Sequence, residues 1–426
     1  MYNIFGDVMN RVYVCIDLKT FFASVECVER KLDPFKTDLV VADPSRGNGA
    51  ICLAISPKMK QRGIKNRCRM WEIPKNVHPI IAKPRMKKYI EYSAKIYKTY
   101  LKFVSKDDIY VYSIDECFID ITPYLKHYSK TPKEFAHMLI NEVYKDTGIT
   151  AAAGIGTNLY LTKIALDITA KHSKDNVGYL DEELYKKELW HHTPLTDFWQ
   201  IGRGIETRLN NLHLKDMYDI AHCDEKILYK EFGINAEILI DHSKGIEPCT
   251  MKDIKQYKPK SKSISNSQIL FEDYSCENAR KVLIEMVDNI ILQLVARKQF
   301  TSSIGVFIGY SKDKLPPLKF TIKLEQATSS YTIILNKIME EYDFRINQYV
   351  PIRRIGICLN KLEDKRIEQL DLFNVHEIRE QDLRIEIAMN EIKNKYGKNA
   401  ILRGISYDDK GTQLKRNCLI GGHNAE

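Results

Sequence analysis

Ile109-Tyr110-Val111-Tyr112-Ser113-Ile114-Asp115-Glu116-Cys117-Phe118-Ile119-Asp120-Ile121 sets two apolar runs on either side of a short polar turn, the pattern of a β-hairpin. Earlier in the chain, Val12-Tyr13-Val14-Cys15-Ile16 is a continuous apolar run that ends at Asp17 and reads as a buried strand. Phe21 to Arg30 carries Phe22, Val25 and Val28 at helical steps, and Met86 to Val104 is a further helix with Tyr89, Tyr92, Tyr97 and Tyr100 along it. Pro132 to Tyr144 is helical. The small-residue run Ala151-Ala152-Ala153-Gly154-Ile155-Gly156 is a strand leading into a helix from Asn158. Strand, helix, hairpin, helix and strand in this order predict an α+β fold with a ferredoxin-like sheet. A looser segment, from Asp33 to about Pro79, is inserted between the first helix and the hairpin and holds one strand-like run, Ala50 to Ile55.

Beyond Asp181 the pattern turns helical, with Ile201-Gly202-Arg203-Gly204-Ile205 between two helical stretches. Lys252 to Ser265 has no apolar periodicity and reads as a linker. Ser267 to Lys361 offers strands and two amphipathic helices, a second small α+β domain, and the residues from Leu362 carry a short apolar motif, a helix and a polar tail. At 426 residues the chain is long enough for two to four domains. With 44% hydrophobic and 28% charged residues it is neither disordered nor fibrous. No apolar run approaches the ~18 residues of a membrane helix, and the opening residues lack the apolar stretch of a signal peptide. Ten scattered cysteines without a Cys-x-x-Cys pair argue against zinc ribbons and against a disulfide framework. Free thiols in a soluble, cytoplasmic protein are expected.

The net charge of +9 says less than its placement. Between Met251 and Lys361 there are 18 basic and 11 acidic residues, and between Pro44 and Trp71 seven basic residues and no acid. Two basic surfaces point to a polyanionic partner, although lysine-rich solvated faces give the same count.

Asp17 closes the first strand and Asp115-Glu116 occupy the hairpin turn, so neighbouring strands would bring three carboxylates to one sheet edge. Such groups repel unless cations neutralise them. Oxygen-only ligands suit Mg²⁺, and a pair of ions serves in-line phosphoryl displacement. On spacing alone a plainer reading also stands: Asp17 caps the next helix and Asp115 sets a turn.

Tyr13-Val14-Cys15-Ile16-Asp17-Leu18-Lys19-Thr20-Phe21-Phe22-Ala23-Ser24-Val25-Glu26 resembles the opening motif of Y-family, UmuC-like translesion DNA polymerases. Ser113-Ile114-Asp115-Glu116 matches their catalytic hairpin. Gly154-Ile155-Gly156-Thr157-Asn158 with Leu161-Thr162-Lys163-Ile164-Ala165 matches their third palm motif. The resemblance runs in order over roughly residues 10–360.

It implies a right-hand polymerase: palm at 1–30 and 80–180, small fingers at 31–79, a helical thumb with a helix-hairpin-helix at 181–250, a linker at 251–266 and an α+β little finger at 267–361. Residues 362–426 become a tail with a clamp-binding motif. By the same resemblance Asp17 and Asp115 bridge two Mg²⁺ ions, Glu116 holds the ion beside the primer 3′-hydroxyl, and the Leu18 carbonyl reaches the nucleotide-side ion. Phe22 aligns with the sugar steric gate and Phe21 lies beside it. Lys60 and Lys171 align with triphosphate contacts, Lys171 one residue later than in many members. Gly202 and Gly204 resemble the hairpin that approaches a DNA phosphate. Gln369-Leu370-Asp371-Leu372-Phe373 resembles the peptide that docks on a sliding clamp, through Gln369, Leu370, Leu372 and Phe373.

The partners implied are primer-template DNA, a dNTP and a sliding clamp, with no membrane and with room left for an accessory subunit. Two rivals share parts of this pattern. A catalytically silent clamp adaptor need not keep Asp17, Asp115 and Glu116. A nucleotide cyclase has no use for the hairpin glycines, the basic second domain or the clamp peptide.

Overall fold

A computed structural model describes residues 11–259, 262–364 and 375–426. The chain forms two compact units, one running to Tyr257 and including Asn424–Glu426, the other spanning Lys258–His423.

In the first unit, β1 (Tyr13–Leu18) is followed by α1 (Phe21–Glu29). An insertion then contributes β2 (Leu39–Val41), β3 (Ala54–Ile55), α2 (Pro57–Gln61) and β4 (Ile80–Ala82). The frame resumes with α3 (Met86–Tyr100), β5 (Ile109–Val111), β6 (Glu116–Asp120), α4 (Thr122–Tyr128), α5 (Pro132–Thr147), β7 (Ala151–Gly156), α6 (Leu159–Ile164), α7 (Ala170–His172) and β8 (Val177–Leu180). The sheet order is β5-β6-β1-β7-β8, with β1 antiparallel to both neighbours.

β1 has no alternation in sequence because both of its faces are covered. Val14, Ile16 and Leu18 join the core built by α1, α3 and α5, while Tyr13 and Cys15 on the other face pack with Phe118, Leu159 and Leu166. Local signals agree with these boundaries. Thr131 and Glu134 form a capping box ahead of α5, and Gly148 ends that helix at φ 72°.

The insertion has its own small core of Val40, Cys52, Ile55 and Met59 under a three-stranded sheet. Only Ala54–Ile55 of the expected Ala50–Ile55 strand pairs with β2. Ile51 makes an isolated bridge to Arg69 and is exposed.

Five helices follow: α8 (Glu182–Leu189), α9 (Arg203–Asn211), α10 (Met217–His222), α11 (Glu225–Phe232) and α12 (Ala236–Ser243). Residues read as the start of a linker instead form α13 (Met251–Gln256), whose buried Met251 packs beside Tyr13 and Phe118. Met251 and the half-buried Ile254 are its two apolar anchors, too few to set up a periodicity, which is why the pattern misses this helix. All ten cysteines are free, and among the described residues no helix is long and apolar enough to cross a membrane.

The second unit holds β9 (Ile264–Tyr274), α14 (Cys276–Ala296), β10 (Phe300–Tyr310), β11 (Leu318–Thr328), α15 (Tyr331–Arg345) and β12 (Ile352–Glu363), an antiparallel sheet of order β11-β10-β12-β9 packed on its helices. It extends past the expected end at 361 to take in α16 (Val375–Tyr396) and α17 (Gln413–Asn417). Leu383 of α16 packs against the core of this unit, but most of the attachment is polar. Glu285 on α14, 1% exposed, accepts from Thr412 N (2.9 Å), Thr412 Oγ1 (3.0 Å) and Gln413 N (3.2 Å). Arg403 bonds Asp288 at 2.5 Å, pairs with buried Glu386 and lies 3.5 Å from the Tyr331 ring centre. Hydropathy patterns see apolar contacts and miss such a joint.

Removing one partner of a buried ion pair leaves the other uncompensated, at a cost of about 3–5 kcal/mol. Arg403→Leu is therefore expected to lower the urea midpoint of the full chain markedly. An unchanged midpoint would show that this cluster does not hold the C-terminal segment in place.

Candidate active site

Antiparallel pairing puts Asp17 directly opposite Glu116, and residues directly opposite share a face of the sheet. Leu18 N donates to Asp115 O at 2.9 Å, so the end of β1 is bonded to the hairpin turn itself. The turn is tight. Tyr112 N and Ser113 N both donate to Glu116 O at 3.0 Å, and Ser113 Oγ donates to Asp115 Oδ1 at 2.6 Å. Behind it Trp199 Nε1 donates to Tyr112 OH at 3.1 Å, and the indole packs against Tyr112 and Phe118.

The three carboxylates lie within electrostatic reach of one another. Burial, then repulsion from Asp115 and Glu116, pushes the Asp17 carboxyl up to about 7. Lys163 on α6 opposes this. Its ammonium sits 2.7 Å from Glu116 Oε1 and 3.1 Å from Asp167 Oδ1, and Cys15 Sγ donates to the same Glu116 oxygen at 3.2 Å. Burial disfavours the Lys163 charge, but Asp167 and Glu116 more than offset that and hold it above its ordinary value. Among the described residues no three acidic, histidine or cysteine side chains are closed around a metal-sized point. Glu116 gives its carboxylate to Lys163 instead.

Lys163 stands there because α6 approaches the sheet backbone to backbone. A Cβ on Gly154 would lie 2.2 Å from Leu166 N, and one on Gly156 would lie 2.4 Å from Thr162 N. The helix then passes through a π-helical turn, Ala165–Thr169. Such a turn absorbs one extra residue and is frequent at functional sites.

A basic group faces the acids. Burial lowers the Lys60 ammonium, with Asp17 raising and Lys171 lowering it. Burial likewise lowers Lys19, with Asp17 and Lys60 as its charged neighbours, and Lys19 donates to Asn176. Sequence reasoning picked out Lys60 and Lys171 but passed over Lys19 and Lys163, both of which lie inside the quoted motifs.

The two phenylalanines part company. Phe21 is buried in the core at 2% exposure, whereas Phe22 is half-buried and stacked on Tyr89. Gly202 caps α9, and a Cβ on Gly202 or Gly204 would meet nothing within 4 Å. The fold itself does not require glycine there. Gln369, Leu370, Leu372 and Phe373 lie outside the described residues.

Residues 16–167 match the model of the impB/mucB/samB family, and residues 261–372 match that of the family's C-terminal domain. UvrX of Bacillus subtilis (strain 168), a relative whose name refers to UV-damage repair, is 32% identical over 96% of this chain and 97% of its own. DNA polymerase IV 2 of the same organism is 28% identical over 97% and 98%. A solved Y-family DNA polymerase chimera superposes with a TM-score of 0.64 at 21% identity, covering 83% of this chain and all of that one, so the fold is shared.

Because Asp17 titrates near 7 rather than at its ordinary 3.8, its ionisation destabilises the native state. The penalty is absent below the unfolded value, grows as pH rises, and is complete above about 7. Asp17→Asn is therefore expected to raise the melting temperature of the metal-free protein at pH 8, the gain fading towards pH 4. A variant less stable than the parent at pH 8 would contradict this electrostatic account.

Proposed function

The chain belongs to the impB/mucB/samB family, and from that membership and the site geometry we propose a template-directed DNA polymerase that extends a primer 3′-hydroxyl past damaged template bases. The observation that carries the reading is the register of Asp17 against Glu116, with Asp115 in the adjoining turn, Lys19 and Lys60 within electrostatic reach of Asp17, and Lys171 beside Lys60. Acids beside a lysine cluster suit a substrate with a nucleophilic hydroxyl at one end and a triphosphate at the other.

The family uses divalent metal, and the donor set fits Mg²⁺: the side-chain ligands are all carboxylates, one pushed up to about 7 by burial and then by the two neighbouring acids. Asp17 and Asp115 would hold two ions, Glu116 the primer-side one, and the Leu18 carbonyl the nucleotide-side one. When bound, such ions lower the pKa of the attacking hydroxyl and neutralise the pyrophosphate leaving group.

The protein's own side chains do the rest. Lys60 and Lys171 hold the triphosphate, and Lys19 adds positive charge beside them. Lys163 is the counter-charge that keeps Glu116 paired before metal enters. The Phe22 ring lies under the sugar and leaves no room for a ribose 2′-hydroxyl. Gly202 and Gly204, with open space over both, let backbone N–H groups approach a DNA phosphate. The basic second unit grips duplex phosphates without reading sequence.

Asp115→Ala and Glu116→Ala are each expected to cut single-turnover primer extension by ~10³-fold or more with an unchanged fold. An active, correctly folded variant would remove the assignment.

Gln369-Leu370-Asp371-Leu372-Phe373 supplies a polar anchor and two apolar side chains for a sliding clamp. Deleting it is expected to abolish clamp binding in surface plasmon resonance and to spare extension of a short primer. Retained binding would refute this role.

A further inference from the structure

Phe22 and Glu26 are four residues apart on α1 and so lie on one face of that helix. Tyr89 of α3 spans both. Its ring stacks on Phe22 with centroids 4.5 Å apart and planes at 17°, and its hydroxyl donates to Glu26 Oε1 at 2.8 Å. The Glu26 side chain is 0% exposed and heavily bonded. Arg85 Nε donates to Oε1 at 3.0 Å and Arg85 Nη2 to Oε2 at 2.9 Å, while Arg30 bonds the same carboxylate and the Glu26 carbonyl.

Stability alone does not ask for this arrangement. An apolar pair fills a helix–helix interface as well as a buried ion cluster does, without the desolvation cost. What the cluster adds is direction: an acceptor fixed by two arginines holds the tyrosine hydroxyl, and the hydroxyl fixes the plane of the ring beneath Phe22.

We propose that Tyr89, anchored on Glu26, is a positioning residue that fixes the Phe22 ring and thereby sets how strongly the site rejects ribonucleotides. The inference rests on the reading of Phe22 as the sugar gate. An apolar wall that can yield rejects an added hydroxyl only weakly, so the discrimination of a single ring depends on its being unable to move. Tyr89 closes the face of Phe22 towards which the ring would retreat.

The test is the ratio of kcat/KM for dCTP to kcat/KM for CTP on one primer-template, measured with Phe22→Ala, Tyr89→Leu and Tyr89→Phe in the full chain. Losing an aromatic pair forfeits about 0.5–1.5 kcal/mol, so Tyr89→Leu is expected to lower the ratio by about two- to tenfold. Tyr89→Phe keeps the stack but loses the bond to Glu26, and is expected to lower the ratio by less than Tyr89→Leu does; a fully parental ratio in Tyr89→Phe would overturn the anchoring on Glu26. A purely structural defect scales both kcat/KM values by the active fraction and leaves their ratio alone. Should the leucine variant not fold, Tyr89→Met removes the ring while filling the space and gives the same readout. If Phe22→Ala collapses the ratio while the Tyr89 variants leave it unchanged, the positioning role is overturned and the gate stands. If Phe22→Ala leaves the ratio unchanged, the gate reading falls and the role of Tyr89 falls with it.

Discussion

Strand β1 is bonded on one side to β6 in the register that sets Asp17 against Glu116, and that pairing is the constraint from which the site follows. A slip of one residue would turn Asp17 to the opposite face and bring Ile16 or Leu18 to Glu116. The slip is blocked by burial. Val14 and Ile16 are packed in the core on one face and Tyr13 and Cys15 in that on the other, so a slip would force side chains of different size into two close-packed cores at once. The hairpin is fixed in turn by its own backbone bonds and by Trp199 behind it.

Placing three acids at one edge works against the stability of the sheet, and the surroundings show the compensation. Lys163 reaches Glu116 because Gly154 and Gly156 let α6 lie directly on β7. Lys19, Lys60 and Lys171 add positive charge on the Asp17 side. The result is a site whose negative and positive groups each lower the cost of the other without cancelling. Such a site is suited to a substrate carrying metal and phosphate together.

Much of this is legible in the sequence. β1 and the hairpin declare themselves because continuous apolar runs ending in acids are uncommon, and the α+β frame follows from the order of elements. What stayed hidden was held by polar contacts or by too few apolar ones. α13 rests on Met251 and Ile254, and the joint of the C-terminal segment to α14 runs largely through Glu285, Asp288 and Arg403, none of which registers in a hydropathy pattern. The motif singles out Phe22 over Phe21, but only packing shows that Phe21 is core and that Phe22 stacks on Tyr89. The partner of Lys163 was equally out of reach, because a close helix–sheet approach is a property of two glycines and the helix they admit.

The most direct measurement is anomalous diffraction at the manganese edge from crystals of the protein with primer-template, an incoming nucleotide and Mn²⁺. Anomalous peaks are expected between the carboxylates of Asp17, Asp115 and Glu116, with the Lys163 ammonium withdrawn from Glu116. Manganese bound elsewhere, with Lys163 still on Glu116 and Asp17 apart from the other two acids, would contradict this assignment.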